Sequence, residues 1–243
     1  MAATSIIAFV IFAVLTLANR RSRLDAASRS IVDWVVDLVS LAMHFVGLPI
    51  MSGFIVYKFC DWQLSNHQGS IGGGWLSGVL AYVFLDYLWY WNHRIFHAET
   101  PLWSLHSTHH KSTHFDVFIT SRNALVSHFA MVYFWGIGIA VYLLKDPSSF
   151  AMMVAIGGFV NFWSHTEYNL PKHSILEKVL GSIFILPSDH AWHHSREESS
   201  VNFGTFLSVW DRLHRTLHRP GRSPTAFGEE KEVSVWKQLV WPV

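Results

Sequence analysis

The sequence predicts an all-α, polytopic membrane protein that carries a histidine-rich cap on one side of the membrane. Hydrophobic residues make up 51% of the 243-residue chain and charged residues only 14%, whereas soluble domains usually carry about 25% charged residues. Five apolar stretches follow one another along the chain, and the 16 histidines are grouped rather than scattered. Much of the surface is therefore expected to face lipid, with the histidines collected at one place.

Composition also excludes several classes of function. A formal net charge of +1 gives no electrostatic footprint for nucleic acid, so no nucleic-acid partner is expected. The single cysteine, Cys60, excludes an internal disulfide and a cysteine-rich zinc or iron–sulfur site. Any transition metal must therefore be held by nitrogen or oxygen.

The apolar stretches are the candidate membrane segments, and they cover residues 2–18, 31–59, 75–91, 124–144 and 149–163. A crossing helix needs about 20 apolar residues, so the first, third and fifth must borrow flanking residues, tilt, or stop short of a full crossing. Gly47, Leu48 and Pro49 predict a kink in the second stretch.

The distribution of charge predicts an orientation for these segments. If all five cross, only the segments near Lys58 and Lys145 lie outside, and the other lysines and arginines lie at or beyond the cytoplasmic ends. This is a strong positive-inside pattern. The same topology puts every clustered histidine on the cytoplasmic side.

The chain becomes more polar after residue 165. Apolar residues recur at helical spacing over residues 175–184, which fits a helix on the membrane surface and equally a core helix of the cytoplasmic cap. A short docked helix is expected from Glu229 onward.

The histidines form three motifs. His93 and His97 are four residues apart, so they share a helix face. The pattern H-x-x-H-H then occurs twice, and these six residues are His106, His109, His110, His190, His193 and His194. His165, at the end of the fifth apolar stretch, is a ninth candidate. Two such patterns on one expected membrane face predict a metal-binding cap.

The number of histidines points to two metal ions. One ion in an imidazole site takes about four to six ligands, and eight or nine histidines exceed that number. All-nitrogen ligation suits iron, zinc, copper or nickel and excludes calcium and magnesium. A closed zinc site needs only four ligands, so the surplus favours a redox pair with open positions for oxygen.

These motifs resemble the fatty acid hydroxylase/sterol desaturase superfamily, and the chain looks like a short, stand-alone bacterial member. The matching runs include Asp86, Trp91, His93-Arg94-x-x-His97, Leu102-Trp103, Pro187, Ser195, Asn202-x-Gly204 and Trp210-Asp211-x-Leu213, besides the two H-x-x-H-H motifs. The resemblance covers roughly residues 75–216. It implies N-terminal membrane helices over 1–74, a di-metal catalytic domain over 75–216 and a cytoplasmic tail over 217–243.

The resemblance also implies a chemistry. Members are membrane di-iron enzymes that use O2 and an external electron donor on lipids, sterols and related molecules. All nine histidines would ligate two irons, which zinc can replace. The expected electron donor is a ferredoxin or a b-type cytochrome with its reductase, the substrate comes from the bilayer, and the expected location is a bacterial inner membrane.

Two further residues are predicted to support the metals. Family hydroxylases often carry a second histidine four residues beyond the equivalent of His165, and here Asn169 stands there. Its amide oxygen is expected to hold the metal directly or through water, the alternative being a vacant position. Asp86 lies in an apolar stretch, where an acid is costly and usually functional. It is expected to orient a ligand imidazole through the far N–H, the alternative being a structural hydrogen bond between helices.

The favoured function is a membrane-bound di-iron oxygenase that hydroxylates a C–H bond of a lipid or another apolar molecule. A lipid or sterol desaturase with the same site is the first alternative, and the histidine spacing favours the hydroxylase branch by its resemblance. A histidine-rich metal transporter is an alternative from another class, but no internal repeat is visible. A zinc hydrolase would need a carboxylate base inside a motif, and none is present.

Overall fold

The computed structural model describes residues 2–228 and 233–242, and every named element in this part of the chain is a helix. The all-α prediction is therefore confirmed for the described residues. The helices are α1 (Ala2–Ala18), α2 (Arg20–Ala27), α3 (Ile31–Ala42), α4 (Leu48–Gln63), α5 (Trp75–Ala98), α6 (Thr100–His110), α7 (Leu125–Ala130), α8 (Val132–Leu143), α9 (Ser148–Ser164), α10 (Ile175–Ile183), α11 (Pro187–His193), α12 (Val209–Leu213) and α13 (Val235–Leu239).

Among the residues that the structure describes, one continuous helix is long and apolar enough, by length and composition, to cross a membrane. It spans Ile31–Gln63, 33 residues, because α3 continues into α4 through a π-helical turn over Met43–Gly47. Pro49 stands in the first turn of α4, where proline needs no intrahelical hydrogen-bond acceptor. The irregularity expected near Gly47 is thus a π turn that keeps the helix continuous.

The remaining apolar stretches are shorter helices. Within the described residues, α1 and α2 form a second candidate span only if counted together, and they are bent by 97°. The stretch at 124–144 is not one helix, because the chain breaks at Met131 between α7 and α8. Asn92 of α5 satisfies the backbone there, since its amide accepts from Val132 N–H at 3.1 Å and donates to the Ala130 carbonyl at 3.2 Å.

Helix α5 is the centre of the fold and carries the first histidine motif. It packs against α6, α8 and α9, while α1 lies along α9 and α4 along α8. The approach of α5 to α9 is close at Gly78, where an added Cβ would lie 2.6 Å from the backbone nitrogen of Phe150. Only glycine fits there, so this contact fixes the register of two helices, of which α5 carries His97 in its last turn and α9 is directly followed by His165.

Many large apolar side chains on the N-terminal helices have no protein neighbour to cover them. Phe54 is 67% exposed, Trp62 77%, Trp75 65% and Phe84 61%. Soluble monomers rarely expose apolar surface on this scale. These faces are therefore suited to lipid.

Helix α10 lies in the more polar C-terminal part but exposes its apolar side. Ile175 is 81% exposed, and Leu176, Val179 and Ile183 are also exposed. A core helix of the cap would bury these side chains. The exposure favours the membrane-surface interpretation of this segment.

The short docked helix predicted for the stretch from Glu229 onward is present as α13. Residues 229–232 lie outside the described residues, and α13 begins at Val235. It docks on α3, and its buried Gln238 accepts a hydrogen bond from Arg122 at 2.8 Å.

A buried ion network joins the N-terminal helices to the histidine-bearing part. Arg29 donates to both carboxylate oxygens of Asp116 at 2.7 and 2.8 Å and lies 3.3 Å from Asp37. Arg122 lies 3.3 Å from Asp37 and 3.0 Å from Asp33. Asp116 also caps the 3-10 helix Val117–Ser121 by accepting from Phe118 N–H at 3.0 Å. These buried ion pairs thus join elements that are distant in sequence.

Candidate metal centre

Four segments bring the nine predicted histidines together. The C-terminal end of α5 carries His93 and His97, and α6 carries the first H-x-x-H-H motif. His165 directly follows α9, and α11 with the next residue carries the second H-x-x-H-H motif. Eight of the nine rings are buried, and His97 is half-buried.

The nine side chains separate into two groups. Within each group, one ring nitrogen from every member lies within 4.8 Å of the corresponding nitrogens of the others. The five-histidine group consists of His93, His97, His106, His110 and His193. The four-histidine group consists of His109, His165, His190 and His194.

Each H-x-x-H-H motif is divided between the two groups. The first and last histidines of the α6 motif join the five-histidine group, and the middle one, His109, joins the other. The α11 motif has the reverse arrangement, since its middle histidine, His193, joins the five-histidine group. The two groups touch, because the rings of His110 and His194 stack with centroids 4.3 Å apart. The motif therefore ties two adjacent sites together.

The ring nitrogens converge in a way that hydrogen bonding alone does not explain. Nε2 of His106 lies 2.9 Å from Nε2 of His93 and 3.2 Å from Nε2 of His110. In the other group, Nε2 of His190 lies 3.0 Å from Nε2 of His165 and 3.2 Å from Nε2 of His194. A neutral imidazole has one N–H and one lone pair, so one nitrogen cannot satisfy two such neighbours by hydrogen bonds.

The donor set fits a first-row transition metal in each group. Metal–imidazole bonds of about 2.0–2.1 Å put opposite nitrogens about 4 Å apart, which is compatible with the 4.8 Å spread. Nε2 of His97 and of His193 is buried without a hydrogen-bond partner. A buried polar atom without a partner is costly, and coordination of a metal would satisfy both.

Three of the rings donate a hydrogen bond to a backbone carbonyl through Nδ1–H, the nitrogen that faces away from the group. Nδ1–H of His93 donates to the Phe203 carbonyl at 2.7 Å, and Nδ1–H of His193 donates to the Val201 carbonyl at 2.8 Å. Nδ1–H of His165 donates to the Asn161 carbonyl at 2.8 Å. Each bond selects the tautomer with a lone pair on Nε2, which is the nitrogen directed at the group.

Two of these carbonyls, those of Val201 and Phe203, lie in the loop at 201–204. The Asn202-x-Gly204 and Trp210-Asp211 runs hold this loop in place, which links them to the histidines. The buried Asp211 accepts from the N–H groups of Phe203 and Gly204, each at 2.8 Å. Asn202 has φ +53° and donates to the Asp189 carbonyl at 2.8 Å. In the sequence these runs appear only as part of a family resemblance, with no signal for this role.

Burial keeps the imidazole rings that follow α5 in the chain neutral. Burial, followed by the neighbouring histidines, holds the pKa of His110 and of His194 well below its usual value. Burial lowers the pKa of His165 to about 4. A neutral imidazole is the form that binds metal, so these rings need not lose a proton at neutral pH to do so.

Asp86 does not orient a histidine. Its carboxylate accepts from Trp210 Nε1–H at 2.7 Å, from Leu207 N–H at 3.3 Å and from Tyr133 O–H at 3.4 Å. The expected contact with a ligand imidazole is replaced by the weighed alternative, a structural bond between elements. The physical reason is that Trp210 of α12 and Leu207, just before that helix, bring two N–H donors to this buried acid, and both need an acceptor.

Asp86→Ala is expected to destabilise the fold by about 2–4 kcal/mol, because it leaves buried N–H donors of Trp210 and Leu207 unpaired. Metal content per folded chain should not change. Thermal unfolding in detergent and metal analysis measure the two effects. Trp210→Phe, which removes one donor instead, should cost less. Loss of metal at unchanged stability would restore the orienting role.

Asn169 does not join either group. It is exposed, and its amide donates to the Glu167 carbonyl at 3.2 Å. The side chain faces solvent and lies outside the set of converging ring nitrogens, so a ligand role for Asn169 stays a prediction. The four-histidine group is formed without it.

A second buried acid, Asp189, supports the helix that carries the other H-x-x-H-H motif. It is fully buried, forms an ion pair with Arg219 and accepts from Leu186 N–H at 3.0 Å at the start of α11. The acid thus anchors the helix that carries the second H-x-x-H-H motif.

Comparison with known proteins places the site within a family. A profile of the fatty acid hydroxylase family matches residues 78–216, more than half of the chain and all nine histidines. Alkylglycerol monooxygenase of Danio rerio is 28% identical over 169 residues, 68% of this chain and 35% of that protein. An ornithine lipid hydroxylase of Rhizobium tropici is 32% identical over 148 residues, 59% of this chain and 42% of that protein.

A more distant relative belongs to the desaturase branch. A probable Δ7-sterol 5(6)-desaturase of Neurospora crassa is 24% identical over 201 residues, 79% of this chain and 55% of that protein. No solved structure gives a significant match. The chain spans only about a third of the length of the alkylglycerol monooxygenases it matches. With its histidine motifs inside the matched region, the chain belongs to the fatty acid hydroxylase family.

Proposed function

We propose that this chain is a membrane-bound di-iron oxygenase that hydroxylates a C–H bond of a lipid, using O2 and external electrons. The observation that carries the proposal is the pair of adjacent histidine groups, five and four rings, with converging nitrogens. The names of the relatives support lipid oxidation, since they include a monooxygenase, a lipid hydroxylase and a sterol desaturase. We propose the same domain division as above, with residues 75–216 as the catalytic part.

One iron is assigned to each group, and zinc can replace it because nitrogen sites bind zinc more tightly than ferrous iron. The bound pair would supply reductive activation of O2. The chain itself contributes the nitrogens, the carbonyls of Phe203, Val201 and Asn161 that fix the ring tautomers, and a buried surround. Eight buried rings exclude bulk water from the centre.

The substrate is proposed to enter from the bilayer. Apolar side chains of α3, α4 and α5 are exposed along the chain before the site, and the apolar side of α10 is exposed after it. The proposed topology has all five apolar stretches crossing or entering the membrane, with the histidines at the cytoplasmic face. A ferredoxin or a b-type cytochrome would deliver electrons from that side.

This topology predicts the side on which two loops are labelled. In a Cys60→Ala background, Ser223→Cys should react with a membrane-impermeant maleimide only after the cells are opened. Ser70→Cys should react in intact spheroplasts, because residue 70 precedes the N-terminal end of α5 and the histidines lie at the opposite end of that helix. Reaction of Ser223→Cys in intact spheroplasts would contradict the cytoplasmic placement.

The experiment that tests the lipid assignment compares cells with the wild-type chain and cells with an inactive variant such as His193→Ala. An untargeted lipid analysis should show one class of lipid with an added hydroxyl group only in the wild-type cells. Lipids of the alkylglycerol and ornithine types are the first candidates, because the relatives named above act on them.

The alternatives predict different outcomes. A desaturase shares the centre but yields a product lighter by two hydrogens. A metal transporter would hold its ligands along a path near the membrane midplane, whereas these rings are packed in one buried cluster at helix ends. Oxygen consumption that depends on an added reductase and electron donor would distinguish a hydroxylase or a desaturase from a metal transporter.

A further inference from the structure

The two histidine groups differ in how they are separated from solvent. All four rings of the four-histidine group are buried, whereas His97 of the five-histidine group is half-buried. His97 borders a cavity of about 180 Å³, enough for several water molecules at about 30 Å³ each. The other walls of this cavity are formed by Ala98, Thr100, Trp103, Ser199 and Ser200.

The cavity is open and polar on its outer side. Ala98, Thr100 and Ser200 are exposed, so the cavity meets solvent there. Three of the lining residues, Thr100, Ser199 and Ser200, carry hydroxyl groups, which suit a hydrated ion better than an acyl chain. The cavity is therefore suited to small solutes.

Trp103 lines the cavity beside His97 and packs on two members of the five-histidine group. Its ring centroid lies 4.9 Å from that of His97 and 5.2 Å from that of His110. A solute in the cavity therefore contacts one member of that group directly, through His97.

The four-histidine group is covered by two stacked aromatic rings instead. Phe115 stacks on His165 with centroids 5.9 Å apart and lies 5.4 Å from His194. Phe227 stacks on Phe115 at 4.8 Å. Its backbone pairs with Ser195, and its carbonyl accepts from Arg196 at 3.0 Å. Phe115 therefore covers one side of the buried four-histidine group, and Phe227 covers Phe115.

We propose that the cavity beside His97 is the route by which metal ions and small hydrated solutes exchange between solvent and the five-histidine group. The four-histidine group exchanges only when the Phe115–Phe227 cover opens. The two sites therefore load and release metal at different rates. This inference rests on the proposed function in one respect, that both groups hold a metal ion.

The test follows metal release from the purified, fully loaded chain in detergent after mixing with excess EDTA. Release should occur in two phases of one ion each. Ser200→Trp and Thr100→Trp fill the cavity and should slow the fast phase by about tenfold or more, because exchange then needs a local opening. Ser70→Trp, an exposed serine at the far end of α5, is the matched control and should change neither phase.

A second variant tests the other half of the proposal. Phe227→Ala removes the outer ring of the cover and should accelerate the slow phase while leaving the fast phase unchanged. Release of both ions in one phase, or an unchanged fast phase in both cavity-filling variants, would overturn the inference and leave the two-metal assignment standing. A chain that never binds two metals would instead overturn the proposed function.

Discussion

His193→Ala and His109→Ala are each expected to lower the bound metal from two ions per chain towards one and to abolish turnover. His193 belongs to the five-histidine group and His109 to the four-histidine group, so each variant weakens a different site. Loss of a residue that only supports a ligand typically costs 10–100-fold in metal affinity. Loss of the ligand itself should cost at least about a hundredfold.

The measurement is metal analysis of purified chains together with product formation in cells. His67→Ala is the matched control, because His67 is exposed and outside both groups. It should retain two metals and full activity. The assignment is wrong if either ligand variant keeps two tightly bound ions and normal activity.

Asp116→Asn is expected to destabilise the fold by about 3–5 kcal/mol, because it removes the closer of the two carboxylates beside the buried guanidinium of Arg29 and leaves only Asp37, which also faces Arg122. The asparagine keeps the oxygen that caps Phe118 N–H, so the loss reports chiefly on charge. The neighbouring Phe115 covers His165. The variant should therefore also loosen the four-histidine group.

Thermal or urea unfolding in detergent measures this effect. Asp61→Asn, which removes an exposed acid from α4, should change the free energy of unfolding by less than about 0.5 kcal/mol. Adding Arg29→Met to Asp116→Asn should recover part of the stability, because an uncharged pair leaves no isolated buried ion. A single variant as stable as wild type would show that the network is not what joins these elements.

Much of the centre could be predicted from the sequence. Eight of the nine histidines are predicted by spacings of three and four residues, which put side chains on neighbouring helical positions, and His165 by its place at the end of the fifth apolar stretch. The structure gathers all nine. Their division between two groups could not be predicted. Spacing within α6 does not show that His106 and His110 face His193 while His109 faces His190, because that depends on how α6 and α11 cross.

The supports of the centre were the part least visible in the sequence. The carbonyls of Phe203, Val201 and Asn161 have no residue-type signal, since every residue carries a carbonyl. Asp86 and Asn169 were judged by position along the chain, and both found partners elsewhere. Side chains that act through distant elements require the tertiary fold before their partners can be named.

The buried network of Arg29, Arg122 and their acids also has partners that only the tertiary fold reveals. Asp33 and Asp37 were visible as acids at the start of an apolar stretch, which signals a buried partner. Nothing local identified Arg29 and Arg122 as those partners, the latter 89 residues from Asp33. The break at Met131 was missed for a related reason, because Asn92, which stabilises it, lies on another helix.

The central claim, that the paired histidine groups support hydroxylation of a lipid by O2, is tested most directly by isotope labelling. Cells producing the wild-type chain and cells producing His193→Ala are grown under isotopically labelled O2, and their lipids are compared by mass spectrometry. We predict a lipid in the wild-type cells alone that has gained one labelled oxygen atom. A product lighter by two hydrogens would instead assign the chain to desaturation. A hydroxylated product whose new oxygen is unlabelled, and therefore comes from water, would contradict oxygen activation at this centre.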